Sequence, residues 1–361
     1  MPVATLDMKV THPTRDCKSY LIWDAASGEA ALLDPRFDLV REYVDQLKEL
    51  GLTLRYAVDS HTHADHLSGS DRMRNLTGCK VVMSDRTRSR VPDLKVADGH
   101  QLPLGDQHVS CLHTPGHTPD SMCLFDGARI YTGDTLFIGG AARTDFMGGD
   151  SGQLFDSFRR IEALGLAVEV WPGHDYNRKQ HSTVEAELRN NPHFGDTNRE
   201  SFVRRMDIKG QLPANMAEIL SFNTEAGLPE DRIIRPEQVA RLGRPGRDFT
   251  LLDVRYADEW AAGRAEGAVH IPMPELRARW AEVAKLPRPV VSICRSGIRA
   301  TLMMMTARHA GDQNWLLLEG GMGAWQQAGL PLVADAGRKP DIVASATQGG
   351  GSCALPTCAS G

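Results

Sequence analysis

His61-Thr62-His63-Ala64-Asp65-His66 places three imidazoles and a carboxylate within six consecutive residues. Such a run is poor core material and good metal chemistry. Neutral imidazole nitrogens and carboxylate oxygens suit zinc or iron, and one turn can aim several of them at one point. A solvated, His-rich loop is the plain alternative, but the surroundings argue against it. The strand-like Arg55 to Ser60 precedes the run and the helix-like Leu67 to Leu76 follows it. Single candidate ligands then recur downstream, each just past an expected strand end. His117 lies in Thr114-Pro115-Gly116-His117-Thr118-Pro119-Asp120, Asp134 follows Thr132-Gly133, and His174 lies in Trp171-Pro172-Gly173-His174-Asp175-Tyr176. Gly and Pro beside each ligand permit tight turns, and loops of this kind converge on one edge of a sheet. Any one of these histidines alone reads as structural; the repeated pattern reads as a metal site.

A second constellation is Cys294-Arg295-Ser296-Gly297-Ile298-Arg299, between the apolar strand Pro289 to Ile293 and the helix-like Ala300 to Arg308. A strand-to-helix loop turns successive backbone N–H groups inward above a helix N-terminus, which stabilises an anion on sulfur. Arg295 and Arg299 could bind the charge of sulfite, thiosulfate or a persulfide. The arginine follows the nucleophile one residue sooner than in cysteine phosphatases, so the tighter ring favours a sulfur cargo over a phosphoryl group. Cys79, Cys111 and Cys123 lie in or beside apolar runs and read as core; Cys17 has no evident role. Asp253 reads as support for the Cys294 loop or as a helix cap.

The elements that must position these groups alternate along the chain. Ser19 to Trp23 and Ala30 to Leu33 read as a hairpin, and Arg36 to Leu50 has a helical apolar period. Strands are expected at Lys80–Met83, Val109–His113, Ser121–Phe125, Arg129–Tyr131 and Val168–Trp171, with a helix from Gly152 to Leu164. From Asn190 to Pro229 the chain turns polar and reads as a closing segment and linker. A fresh pattern starts near Ile233, with helix-like Pro236–Leu242 and strand-like Phe249–Val254. The expected domains are 1–228 and 229–336, followed by a Gly/Ser/Ala-rich flexible tail over 337–361. The order of strands and helices indicates α/β architecture.

With 361 residues the chain has room for two domains, and its formal charge of −5 with no basic, aromatic-interleaved stripe argues against nucleic acid. No apolar run reaches membrane-spanning length, and the opening MPVATLDMKV is read as lacking a signal-peptide core. Seven irregularly spaced cysteines fit reduced thiols in a cytoplasm. The sequence leaves the oligomeric state open, a homo-oligomer included.

Over Met1 to Phe222 the first constellation resembles the metallo-β-lactamase superfamily, which implies an αββα sandwich with metal at its strand-end edge. Two glutathione-linked branches compete: glyoxalase II, a thioester hydrolase with two metals, and the persulfide dioxygenases, with one ferrous iron. Arg143-Thr144-Asp145-Phe146, His174-Asp175-Tyr176 and Ser182-Thr183-Val184-Glu185 followed by Asn191-Pro192 are similar to the dioxygenase branch, although Ala142 stands where glycine is commoner. The resemblance implies one Fe(2+) per chain on His61, His117 and Asp134, a two-histidine, one-carboxylate triad with open positions. It leaves His63, Asp65, His66 and His174 around the iron or at an unfilled second site, and Arg143 and Tyr176 for the substrate. Arg143 could instead merely pair with Asp145.

The second constellation resembles rhodanese over Ile233 to Leu332. The similarity extends to Leu252-Asp253-Val254-Arg255-Tyr256 with Glu259-Trp260, to Gly267-Ala268-Val269-His270-Ile271-Pro272 and to Glu319 to Trp325. It implies an α/β domain with a parallel sheet and sulfur transfer through a Cys294 persulfide. Together the resemblances imply a bifunctional enzyme. One site would oxidise glutathione persulfide with O2 to sulfite and glutathione; the other would exchange sulfur among thiosulfate, sulfite and glutathione. The alternative is a zinc-dependent glutathione thioester hydrolase fused to a sulfurtransferase; another is a C-terminal persulfide-binding sensor or partner-docking module without turnover.

Overall fold

The computed structural model describes residues 6–11, 17–146, 148–176, 179–206, 215–225 and 227–335. The tail over 337–361, with Cys353 and Cys358, lies outside the described residues. The chain divides between Gly227 and Leu228 into two compact units.

Side-chain alternation builds the first unit. Along Ser19–Trp23, Tyr20 and Ile22 face one layer and Leu21 the opposite one; along Glu29–Leu33, Ala31 and Leu33 oppose Ala30 and Leu32. Both faces of each strand are apolar, so each sheet must be covered on both sides. One six-stranded sheet runs in the order Asp7–Thr11, Ser19–Trp23, Glu29–Leu33, Thr53–Val58, Lys80–Ser84, Leu94–Val96. The second runs Ser182–Thr183, Glu169–Pro172, Arg129–Gly133, Met122–Phe125, Gln107–His113, Gln101–Leu104. Tyr20, Ile22, Val58 and Val82 of the first meet Leu102, Val109, Leu124 and Tyr131 of the second in the central core. The outer face of the first sheet is covered by helices Val40–Leu50 and Ser70–Thr77 through Val40, Tyr43, Leu47 and Met73. Ser151–Glu162 and Arg199–Met206 cover the second sheet through Leu154, Phe158, Ile161 and Phe202. The result is the expected αββα sandwich. Cys79, Cys111 and Cys123 are buried in these layers, as their apolar surroundings indicate.

Parallel pairing directs the chemistry to one edge. Glu29–Leu33 runs parallel to Thr53–Val58, and Arg129–Gly133 parallel to Glu169–Pro172. The residues just past these four strands are Asp34, Asp59 to His61, Asp134 and His174.

Two stretches differ from expectation. The helix after the histidine run starts at Ser70 instead of Leu67, because Ser68 and Ser70 both donate hydroxyls to buried Asp59 and hold the intervening chain as a turn. The polar stretch after Asn190 holds the helices Arg199–Met206 and Met216–Thr224. A few large side chains, Phe202, Met206, Ile219 and Phe222, anchor them in spite of the polar composition.

The second unit has a parallel sheet ordered Ile233–Ile234, Trp315–Leu318, Val290–Ile293, Thr250–Asp253, Val269–His270. Its central strand Val290–Ile293 is wholly buried and feeds, through the Cys294 loop, the helix Ile298–His309. No helix among the described residues is long and apolar enough to cross a membrane.

Candidate functional site

The strand ends bring together His61, His117 and Asp134: one ligand atom from each lies within 4.8 Å of the other two. Each imidazole has its second nitrogen occupied. His117 Nδ1 donates to the Arg143 carbonyl at 2.8 Å. His61 Nδ1 lies 3.0 Å from Ser60 Oγ, whose own proton goes to Asp34 Oδ2 at 2.9 Å. The hydroxyl can therefore only accept from His61, which places the proton on Nδ1 and the lone pair on Nε2. Asp134 Oδ1 is held by His174 Nδ1 at 2.7 Å, while Oδ2 lies 4.0 Å from His117 Nε2. Two imidazole lone pairs and one carboxylate oxygen thus converge, with the outer hydrogen bonds a metal-binding histidine needs. Burial and the neighbouring His63 push the His61 imidazole down to about 3, so it is neutral and able to coordinate. Asp134 is fully ionised, since His174 beside it outweighs burial and holds its carboxyl well below the usual range. This donor set fits a divalent first-row metal.

The other candidate ligands fall into two separate groups of potential donors, Cys17 with Asp65 and His66, and His63 with Asp34 and Asp59. His174 spans two carboxylates, Nδ1 to Asp134 and Nε2 to Asp65 at 3.1 Å. Asp134, Cys17 and Asp65 outweigh burial and hold its imidazole well above the ordinary histidine range. Asp65 Oδ2 also accepts from His66 Nδ1 at 3.1 Å. His63 turns to Asp34, Nε2 to Oδ1 at 3.2 Å, with Asp59 at 3.9 Å. These carboxylates overcome burial and raise His63 to about 10. His63 Nδ1 and His66 Nε2 are buried without a hydrogen-bond partner.

Close backbone approach is a condition of this geometry. A Cβ on Gly133, at φ +47°, would sit 2.4 Å from Ser60 Oγ, so any side chain there would break the link between Asp34 and His61.

Arg143 contributes its backbone: the carbonyl orients His117, while the guanidinium forms two hydrogen bonds to Asp145 at 2.6 and 2.7 Å and lies over Phe146. The preceding Ala142 has ordinary backbone, since Asp34 is the one non-glycine with positive φ among the described residues. Tyr176 stacks on His174, ring centroids 5.4 Å apart and ring planes nearly parallel, with the tyrosine partly exposed.

Sequence reasoning missed three contributors. Cys17 reaches the site from the chain preceding Ser19–Trp23, its Sγ 3.5 Å from His174 Nε2. The adjacent Lys18, buried to 2 % exposure, donates to the carbonyls of Lys179 and Gln180 at 3.2 and 2.7 Å, tying down the segment beyond His174. Asn223 spans the metal loop, donating to the carbonyls of His63 and His66 and accepting from Ser68 N–H, at 2.8 to 2.9 Å. None carries a local signal, because each acts across more than 100 residues of chain.

In the second unit Cys294 follows the buried central strand, and its Sγ accepts from Gly297 N–H at 3.1 Å. Its carbonyl accepts from Met322 N–H at 2.9 Å, an approach that works only because Gly321, at φ +56°, has no Cβ to strike that oxygen. Arg295 is exposed. Arg299 is fastened to Glu259 by two hydrogen bonds of 2.6 and 2.7 Å and lies over Tyr256. The Asp253 carboxylate accepts from Arg255, from its backbone N–H, Nε and Nη2, both groups fully buried, at the end of a strand paired with the one that leads to Cys294.

Residues 12–174 match the metallo-beta-lactamase superfamily, and residues 236–328 match the rhodanese-like domain. "Persulfide dioxygenase ETHE1, mitochondrial" of Bos taurus is 37% identical over 211 residues, covering 55% of this chain and 82% of the relative. A "Hydroxyacylglutathione hydrolase" of Methylococcus capsulatus is 32% identical over 237 residues, covering 63% of this chain and 87% of the relative. The crystal structure of ETHE1 from Myxococcus xanthus superposes with a TM-score of 0.58 at 32% identity, covering 60% of this chain and 98% of that one.

Proposed function

The chain belongs to the metallo-β-lactamase superfamily, with persulfide dioxygenases among its relatives, and carries a C-terminal rhodanese-like domain; from that premise we propose a bifunctional sulfur enzyme. Its first domain, 1–228, oxidises glutathione persulfide: GSSH + O2 + H2O gives GSH and sulfurous acid, the terminal sulfur supplying the electrons that reduce O2. Its second, 229–336, transfers sulfur. The Cys294 thiolate attacks the outer sulfur of thiosulfate, sulfite leaves, and glutathione takes the sulfur from the resulting persulfide as GSSH.

The observation that carries the first assignment is the selection of donors. His61 and His117 each have one nitrogen tied off, Asp134 completes three, and His63 and His174 are held by carboxylates. That pattern supports one Fe(2+) per chain on His61, His117 and Asp134. When bound, the ion supplies open positions at which a persulfide sulfur and O2 meet. The protein's part is to hold the three donors in register through Ser60, the Arg143 carbonyl and His174. His63, Asp65, His66 and His174 then serve as orienting groups. Tyr176, exposed beside His174, and Arg143, whose carbonyl orients His117, are the groups assigned to substrate positioning and hydrogen bonding. In the second domain Arg295 is the cation that receives the substrate anion, and Arg299 braces the loop against Glu259. The five described cysteines form no disulfide with one another, in keeping with a cytoplasmic enzyme that acts on small sulfur compounds.

The test is O2 uptake by protein reconstituted anaerobically with ferrous iron, on adding glutathione persulfide. Uptake with matching sulfite release is expected. An iron-loaded sample that takes up no O2 overturns the dioxygenase. Thioester hydrolysis by the same chain loaded with two zinc ions would put the glutathione thioester hydrolase in its place.

A further inference from the structure

The run His61-Thr62-His63 offers two neighbouring imidazoles, with ring centroids 4.2 Å apart, yet only His61 falls within the donor set. His63 groups instead with Asp34 and Asp59. Nothing in the two side chains themselves accounts for the difference, so the cause lies in what holds each ring.

Both rings lead to one carboxylate. Asp34 Oδ2 accepts from Ser60 Oγ at 2.9 Å, and that hydroxyl fixes His61 Nδ1 at 3.0 Å. Asp34 Oδ1 accepts from Ser60 N–H at 2.7 Å and takes His63 Nε2 at 3.2 Å. The carboxylate is in turn rigidly placed. Its residue is pinned by Asp34 N–H to the Val58 carbonyl at 2.8 Å and by Ser19 Oγ to its own carbonyl at 2.7 Å. It is also held at φ +49°, a conformation that L residues other than Asn and Asp seldom adopt. A non-glycine kept in that region at a functional edge marks a position the surroundings enforce.

We propose that Asp34 selects which imidazoles the metal meets: through Ser60 it presents His61, and by its direct bond it withholds His63. Asp34 is thus a positioning residue that sets ligand number. In its absence His63, already beside His61 with Nδ1 unpartnered, turns into the metal site as a third imidazole, the environment of a hydrolytic zinc instead of an oxygen-activating iron. The inference rests on the iron reading above and deepens it.

The experiment counts coordinated imidazoles, not turnover. Full-length wild type, Asp34→Asn, Ser60→Ala and Asp34→Asn/His63→Ala are loaded with Fe(2+) and treated with nitric oxide as a spin probe. Pulsed EPR then counts imidazole nitrogens on the metal, and iron affinity is titrated in parallel. Asparagine is chosen because it tolerates positive φ. Two imidazoles are expected in wild type, three in Asp34→Asn, and two again in the double variant. Ser60→Ala, which spares the bond between Asp34 and His63, should keep two imidazoles while losing affinity by roughly 10-fold or more. Three imidazoles in wild type, or two in folded Asp34→Asn, overturns the proposal. Should Asp34→Asn fail to fold, Ser60→Ala decides: unchanged affinity, or a third imidazole, overturns it. A wild type that binds no iron fails the functional reading itself, and is told apart by the empty parent sample.

Discussion

The two sulfur sites are built on opposite plans. In the second unit the nucleophile, its N–H donor and the braced arginine all come from residues 294–299, one loop on one buried strand. In the first, the proposed ligands come from three separate strand ends, and the groups that orient them are drawn from Asp34 to Asn223. A contiguous loop carries its geometry in its own backbone. A dispersed site borrows its geometry from the whole sandwich, and each borrowed contact is a place where it can be weakened from far away.

The sharpest way to break the comparison is Cys294→Ser. Loss of the thiolate should cut sulfur transfer from thiosulfate by at least about 10³-fold, with persulfide oxidation largely kept. Equal loss of both activities would show that the sites are not separable. Asp134→Ala is the counterpart: iron affinity should fall by more than about 100-fold, because it removes a ligand and strands His174, while thiosulfate sulfurtransfer persists. Metal analysis after gel filtration, beside the two assays, reads both.

Smaller changes test the dispersed plan itself. Asn223→Ala touches no ligand, yet it removes hydrogen bonds to His63, His66 and Ser68. A cost of about 1–3 kcal/mol in stability and roughly 10-fold in iron affinity is expected. Unaltered iron binding would mean that the loop holds itself. The least expected effect is acid sensitivity of the second unit. Burial would raise the Glu259 carboxyl, but Arg299, then the Tyr256 backbone N–H and Arg255, outweigh it and hold it below the ordinary value. A depressed carboxyl contributes stability above its unfolded pKa and loses it as pH falls through the folded value. The bracing should therefore be whole at neutral pH and fade only below the ordinary carboxylate range. Glu259→Gln should flatten that acid limb in thermal melts followed by tryptophan fluorescence; an unchanged limb would assign it elsewhere.

Legibility followed the same division. The Cys294 loop could be read whole, because strand, turn glycine, nucleophile and helix start are adjacent in sequence. The candidate metal ligands His117, Asp134 and His174 were legible one at a time, since each sits beside a Gly that makes a turn at a strand end. What joins them was not. Ser60 and Asp34 are ordinary residues until the parallel pairing of Glu29–Leu33 with Thr53–Val58 sets them side by side. Arg143 illustrates a subtler limit: a motif names the residue, but only the fold shows that its carbonyl accepts from His117 while its guanidinium binds Asp145. Glu259 and Arg299 were both conspicuous, yet 40 residues separate the partners and nothing local announces the pairing.

Lys18 and its neighbour carry a consequence for timing. During synthesis the chain possesses His61, His117 and Asp134 well before it possesses His174, Lys179 and Gln180, to which Cys17 and Lys18 are fastened. At about 5–20 residues per second the emerging chain spends several seconds with donors made and their final tether unmade. Chains arrested short of His174 should exchange metal faster than released ones. Between Asp134 and Gln180 the emerging chain thus holds its three candidate donors without the contacts that Cys17 and Lys18 make to the later segment.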